Sequence, residues 1–308
     1  MNDDDIKMAL TPLVVISKWA LLCLLLMPSL SYSQERVLVV MSAQGKIYQT
    51  FYSTLKKQLH NNFRVSQVSI SDINDDLINN NDSIISIGYK SAIAMSELKT
   101  QKPVFYSLIP DNESLQSKIP CKKPTCYKIY INQPINRYIK LFKILFPEGK
   151  KLVFASTDEQ IKKSQAIKIA AKNNAVMYKK LRVQKNSVIS RYFIRTLNHN
   201  DVLLALPNPE IYNAHSAQSI ILSTYHANVP IIAYSKSFAK AGALISLYSS
   251  IDNIAVKTAN VVNKIYKDGQ QQQKEYYADE FTLEINSAVA RSLNIELDSK
   301  NIIKRKMQ

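Results

Sequence analysis

The chain has 308 residues, 46% of them hydrophobic and 21% charged, a balance that excludes general disorder and leaves room for two modest domains or one large one. Lys and Arg outnumber Asp and Glu by 40 to 24, a formal charge of +16 that admits anionic lipid, nucleic acid or an acidic ligand as partner. The lysines are spread in pairs such as Lys56-Lys57, Lys150-Lys151, Lys162-Lys163 and Lys179-Lys180, with no basic stripe interleaved with aromatics. No nucleic-acid motif accompanies them, so the charge reads as a solvated surface and no nucleic-acid partner is expected.

Lys18 precedes a short apolar core over residues 19–27, followed by Pro28 and then Ser31-Tyr32-Ser33, with small residues at the two positions a signal peptidase reads. Cleavage after Ser33 leaves Gln34 as the new N-terminus and makes residues 1–33 a signal peptide. The competing reading is an uncleaved anchor, but the core is short of the roughly 20 apolar residues a bilayer requires. The run Asp3-Asp4-Asp5 is unusual so early in a signal and points to Met8 as a second candidate start. Cys23 lies inside the apolar run, where lipidation is not expected.

From Arg36 onward, short β-branched runs alternate with stretches of helical period. Residues 36–41 (RVLVVM) read as a buried strand, followed by a helix over about 48–61. Further strands are expected at 65–70, 83–87 and 103–108, with a helix at 91–98, and 127–131 closes the series. The pattern then restarts with a helix at 134–146, a strand at 152–156 and a helix at 158–172. A strand at 175–181, a helix at 187–197, a strand at 202–206, a helix at 213–227 and a strand at 230–234 complete the second series. The last part is 243–249, a helix at 251–266 and a strand at 281–285.

Continuous apolar strands separated by helices are what a parallel sheet covered on both faces demands. Two series predict an α/β protein of two doubly wound, Rossmann-like lobes joined by hinge crossovers. Lobe 1 is expected to span 34–132 plus about 245–275, and lobe 2 133–244 plus about 276–298, with a frayed basic tail at 299–308. One crossing is expected at residues 131–134 (INQP).

In open parallel sheets the carboxyl ends of the strands face the ligand crevice. Gly88 falls just after a predicted strand and Gly242 just before one, in a chain with only five glycines. Ser42, Gln44, Tyr89, Ser107, Ser156, Asn208, Tyr212, Ser235 and Ser237 occupy other strand ends, where hydroxyls, amides and tyrosine faces suit a small polar or aromatic ligand. Taken singly, each of these residues also reads as a turn or cap. Cys121 and Cys126 lie five residues apart, and in an oxidising compartment a disulfide closing a small loop is favoured over a metal site, which lacks two further ligands nearby.

Catalytic signatures are poor. The four histidines have no metal spacing, and no nucleophile elbow, phosphate loop or dinucleotide fingerprint is present. An enzyme is disfavoured and no cofactor is expected.

Residues 201–209 (DVLLALPNP), 230–235 (PIIAYS) and 240–249 (KAGALISLYS) together resemble the ABC-transporter substrate-binding protein family of the tryptophan/tyrosine-binding type. Residues 130–134 (YINQP) and 285–295 (INSAVARSLNI) are similar to elements of the same family. The resemblance implies a type I periplasmic-binding fold that closes by hinge motion on a small molecule held at Ser42, Gly88, Ser156, Pro207, Asn208, Ser235 and Ala241-Gly242-Ala243. It implies an inner-membrane ABC permease as partner, or a membrane receptor if the protein is a periplasmic sensor without its own transporter. Asn208 stands where many members carry an acidic residue, which weakens the case for recognition of a ligand amino group.

Overall fold

The computed structural model describes residues 34–98, 100–121, 125–157, 161–184, 189–269 and 272–308. The expected signal peptide at 1–33 lies outside the described residues, and no described helix is long and apolar enough to cross a membrane.

The first series runs β1 (Glu35–Met41), α1 (Lys46–Gln58), β2 (Phe63–Ser69), α2 (Asp75–Asn79), β3 (Ser83–Ile87), α3 (Tyr89–Glu97), β4 (Val104–Ile109), α4 (Glu113–Gln116) and β5 (Cys126–Tyr130). The second runs α5 (Ile135–Leu145), β6 (Lys151–Ser156), α6 (Ile161–Asn173), β7 (Tyr178–Arg182), α7 (Ile189–Thr196), β8 (Asp201–Leu204), α8 (Ala217–His226), β9 (Ile231–Ala233), α9 (Lys236–Ala241) and β10 (Ile245–Tyr248). The chain ends with α10 (Ile251–Asp268), β11 (Glu275–Tyr277), β12 (Thr282–Ile285), α11 (Ser287–Ser292) and α12 (Lys300–Met307).

These strands form two six-stranded sheets, ordered β11-β5-β4-β3-β1-β2 and β12-β10-β9-β8-β6-β7. Every pairing is parallel except β10 with β12. β1 shows why its sequence is an unbroken apolar run. Val37, Val39 and Met41 pack with Phe51 and Leu55 of α1 and Ile254 and Val262 of α10, whereas Leu38 and Val40 face Ala92 and Met95 of α3. Successive side chains point to opposite faces, so a strand covered on both sides has no polar position to spare. The second sheet is covered likewise, by α5, α6 and α12 on one face and by α7, α8 and α9 on the other.

Three expectations need correction. Residues 245–248 were expected to open the return to lobe 1, but they form β10 of the second sheet, paired between β9 and β12. The chain crosses back only at Ser249-Ser250, and it crosses again after Tyr277, whose strand belongs to the first sheet. The basic tail is not frayed: Ile303 and Met307, one helical turn apart, bury in the core beside Tyr138 and Phe142 of α5. Lys304 completes that docking with its ammonium 5.6 Å from the centre of the Phe281 ring.

One buried side chain ties the three crossings together. Gln133, on the first crossing, donates from Nε2 to Ser249 Oγ on the second (2.5 Å) and to the Glu280 carbonyl on the third (3.3 Å). Its Oε1 accepts from Arg137, which also donates to the Ala278 carbonyl at 3.1 Å and lies over the Phe281 ring at 5.0 Å. Gln133 is 2% exposed, so its replacement by an apolar residue strands partners that water cannot reach. Gln133→Leu is expected to lower the unfolding free energy by about 1–3 kcal/mol, read from the urea midpoint; an unchanged midpoint would contradict this role.

Candidate ligand cleft

Parallel pairing sends the carboxyl ends of β1, β3 and β4 to one edge of the first sheet, and those of β6, β8 and β9 to one edge of the second. The two edges face each other. Asn112, in the loop after β4, donates from Nδ2 to the carbonyl of Pro207, in the loop after β8, at 3.2 Å. Beside this contact, Lys163 of α6 donates its backbone N–H to a Glu113 carboxylate oxygen and pairs its ammonium with Asp111. Tyr277 holds the same Asp111 oxygen at 2.8 Å.

On the first lobe the structure brings Ser42 and Gly88 together. The Ser42 hydroxyl accepts from the Ser91 N–H at 2.8 Å and donates to Ser91 Oγ at 3.0 Å, anchoring the start of α3 to the end of β1. Gly88 has φ +91°, and a Cβ there would stand 2.7 Å from Ser42 Oγ and 3.0 Å from the Tyr48 hydroxyl. Both the backbone angle and the space require glycine. Tyr89 begins α3 half-buried, against the apolar cluster of Ala92 and Met95. Desolvation raises its phenol pKa, keeping the hydroxyl neutral at ordinary pH.

On the second lobe, Ser156, Pro207, Asn208 and Ser235 all lie at the facing edge. Ser156 is fully buried and donates to the Thr157 carbonyl at 2.8 Å. Asn208 accepts from the Glu210 N–H at 2.9 Å, fixing the turn after β8. Ser235 caps α9 through the Phe238 N–H at 3.3 Å. These polar side chains shape the loops. An aromatic cluster lies beneath them: Tyr212, edge-on to Phe238 with centroids 5.8 Å apart, and half-buried Tyr234, tilted on the same ring at 5.4 Å. Burial pushes both phenols up, and the Tyr212 hydroxyl is enclosed with no hydrogen-bond partner.

Ala241, Gly242 and Ala243 do not join this group. They connect the end of α9 to the beginning of β10, the opposite end of the sheet from the cleft. Asn286 marks that far end, donating its N–H to the Leu244 carbonyl and its side-chain amide to the Ala239 carbonyl, both at 2.9 Å. Gly242 is a helix terminator there, with φ +131°, and a Cβ would meet Ile221 Cγ2 at 2.6 Å. Its conformation explains the glycine without a ligand. Cys121 and Cys126 are disulfide-bonded with Cα atoms 5.6 Å apart, on the outer side of the first lobe. Among the described residues no cluster of histidine, cysteine or carboxylate side chains could hold a metal ion.

The sequence reading missed Asp111, Asn112, Glu113 and Lys163. β4 was expected to stop at 108, yet a bulge at Leu108 (φ +53°) carries it on to Ile109. The polar run that follows Pro110 is therefore a strand end like the others, and the strand-end rule applied one turn later would have found it.

Two α/β lobes of mainly parallel sheet, joined by three crossings, match the architecture of type I periplasmic binding proteins. The chain belongs to the ABC transporter substrate-binding protein family, whose model, described as "ABC transporter substrate binding protein", matches residues 49–307. Similar solved structures include a ligand-free, open substrate-binding protein with adhesive properties from Clostridium difficile (TM-score 0.66, 15% identity, covering 86% of this chain and 96% of that one). A conserved domain protein from Vibrio cholerae matches with TM-score 0.58 and 16% identity, over 89% of this chain and 98% of that one. A Streptococcus pneumonia domain in complex with L-Trp matches with TM-score 0.57 and 15% identity, over the same 89% and 98%. No curated protein sequence matches the chain significantly.

Gly242→Val is expected to destabilise the second lobe, because the added branches meet Ile221 and φ is unsuited to a β-branched residue. A melting midpoint several degrees below wild type checks this; a midpoint equal to wild type would contradict it.

Proposed function

We propose that the protein is an exported solute-binding protein that clamps a small molecule between its two lobes and presents it to an ABC-type permease of the inner membrane. The observation that carries this reading is the contact of Asn112 with Pro207 across facing strand ends, beside three crossings that allow the lobes to swing about one side. A ligand touching both edges stabilises the closed arrangement by its differential affinity for that state. Family membership supports the permease as partner, and the Cys121–Cys126 disulfide fits an oxidising compartment such as the periplasm.

The ligand contacts are proposed to come from the loops bearing Gly88 and Tyr89, and from those bearing Pro207, Asn208 and Ser235, with Tyr234 presenting an aromatic face. A flat apolar or aromatic portion suits this surface better than a polyhydroxylated sugar. The L-Trp complex of the Streptococcus pneumonia domain is consistent with an aromatic ligand. Asn208 brings no carboxylate to its position, so the ligand's amino group, if it has one, needs another partner.

A thermal-shift screen of the protein against amino acids, nucleosides, sugars and anionic metabolites tests the proposal. A cleft ligand in hundredfold excess over its dissociation constant adds about 2.7 kcal/mol and raises the midpoint. The same compound is expected to contract the particle in small-angle scattering. A flat screen, or a hit that leaves the scattering curve unchanged, contradicts the clamp.

A further inference from the structure

A second concavity lies on the flank of the molecule, where β5 and β11 of the first lobe approach α5 and α6 of the second. It encloses about 1100 Å³. Its wall is built by adjacent parallel strands whose register sets Lys128 beside Glu275 and Tyr130 beside Tyr277, all on one face of the sheet. Lys128 is 6% exposed, and among the described residues no other lysine is buried to this degree. Lys128 lines the cavity, and among the described residues its ammonium forms no hydrogen bond or ion pair. The nearby carboxylate is turned elsewhere: Glu275 accepts from the Tyr130 hydroxyl at 2.8 Å.

The remaining charges are divided unevenly. Asp111 and Glu113 are both engaged by Lys163, and Asp111 also by Tyr277. Lys118 and Lys162 stand exposed at the rim, one from each lobe, with no carboxylate partner among the described residues. With Lys163 and Asp111 paired, three lysines line the cavity with two carboxylates, Glu113 and Glu275, each already accepting a hydrogen bond, so one positive charge is in excess. Removing an ammonium from water is costly, and burial depresses the Lys128 pKa even though the charge of nearby Glu275 acts in the opposite direction. A bound anion would offset it.

We propose that this flank cavity, which borders the cleft at Asp111, Glu113 and Lys163, is an anion-binding site in which Lys128 holds a phosphate or carboxylate group and Lys118 and Lys162 close over it from the two lobes. Because its rim draws on both lobes, an anion there would bias their relative position. The site does not depend on the identity of the cleft ligand or on a transporter.

Titration calorimetry at constant ionic strength, with inorganic phosphate and with citrate, tests the site and separates the two sources of negative charge. One equivalent of phosphate or of citrate is expected to bind the wild-type protein. Lys128→Met, which replaces an unpaired buried ammonium by an apolar chain of similar length, is expected to weaken that binding at least tenfold. Lys118→Gln with Lys162→Gln, both on exposed side chains that the fold does not need, is expected to weaken it several-fold. Absence of binding by either anion, or equal binding by the wild type and Lys128→Met, would overturn the assignment.

Discussion

The arrangement of this molecule depends on the amide of Gln133. Three strands of chain pass between the lobes, and a lone side chain reaches all three, with Arg137 as its brace. Without such a tie the two sheets would be joined by three independent tethers, each free to twist about its own backbone torsions. With it, the three crossings share one buried hydrogen-bonded joint. A primary amide suits this place because it donates two hydrogens and accepts at its oxygen, so one buried group serves partners on every crossing. Tyr138 reinforces it from within the second lobe by donating to the Leu247 carbonyl at 2.9 Å, next to where β10 leaves the sheet.

The cleft follows from the same economy. Parallel strands deliver their loops to one edge, and the polar side chains there are largely spent on holding those loops in shape. Ser42 fastens α3, Asn208 shapes a turn, and Ser235 caps a helix. Gly88 is itself buried against Ser42 and Tyr48, and Tyr234 is the half-buried aromatic at the facing edge of the second lobe. Polar residues at these strand ends thus mainly hold the loops in shape.

Much of the fold was legible in the sequence because strands buried on both faces leave a strong mark. The run at 36–41 and the alternation of strand and helix through 234 identify two doubly wound units without reference to any contact. The return path was not legible, because β10 is as apolar as a strand of either sheet and nothing local says which sheet it joins. The tail was misread for a related reason: Lys300, Lys304, Arg305 and Lys306 advertise a solvated segment, while only Ile303 and Met307 reveal the buried face. In the site, Ser42 and Gly88 were found because a strand end precedes them. Gly242 was included on its composition and on family likeness, although it precedes a strand and so sits at the wrong end. Gln133 was named as part of a crossing, but its role is a matter of three segments distant in sequence and could not be read from any one of them.

The central claim, that one buried amide makes three crossings act as a single hinge, is tested most directly by the distance distribution between the lobes. Spin labels at the exposed positions Glu97 and Lys236, one on each lobe, report it by pulsed dipolar spectroscopy without added ligand. The account predicts a narrow distribution for the otherwise wild-type protein and a clearly broader one after Gln133→Leu. Distributions of the same width in the two proteins would contradict it.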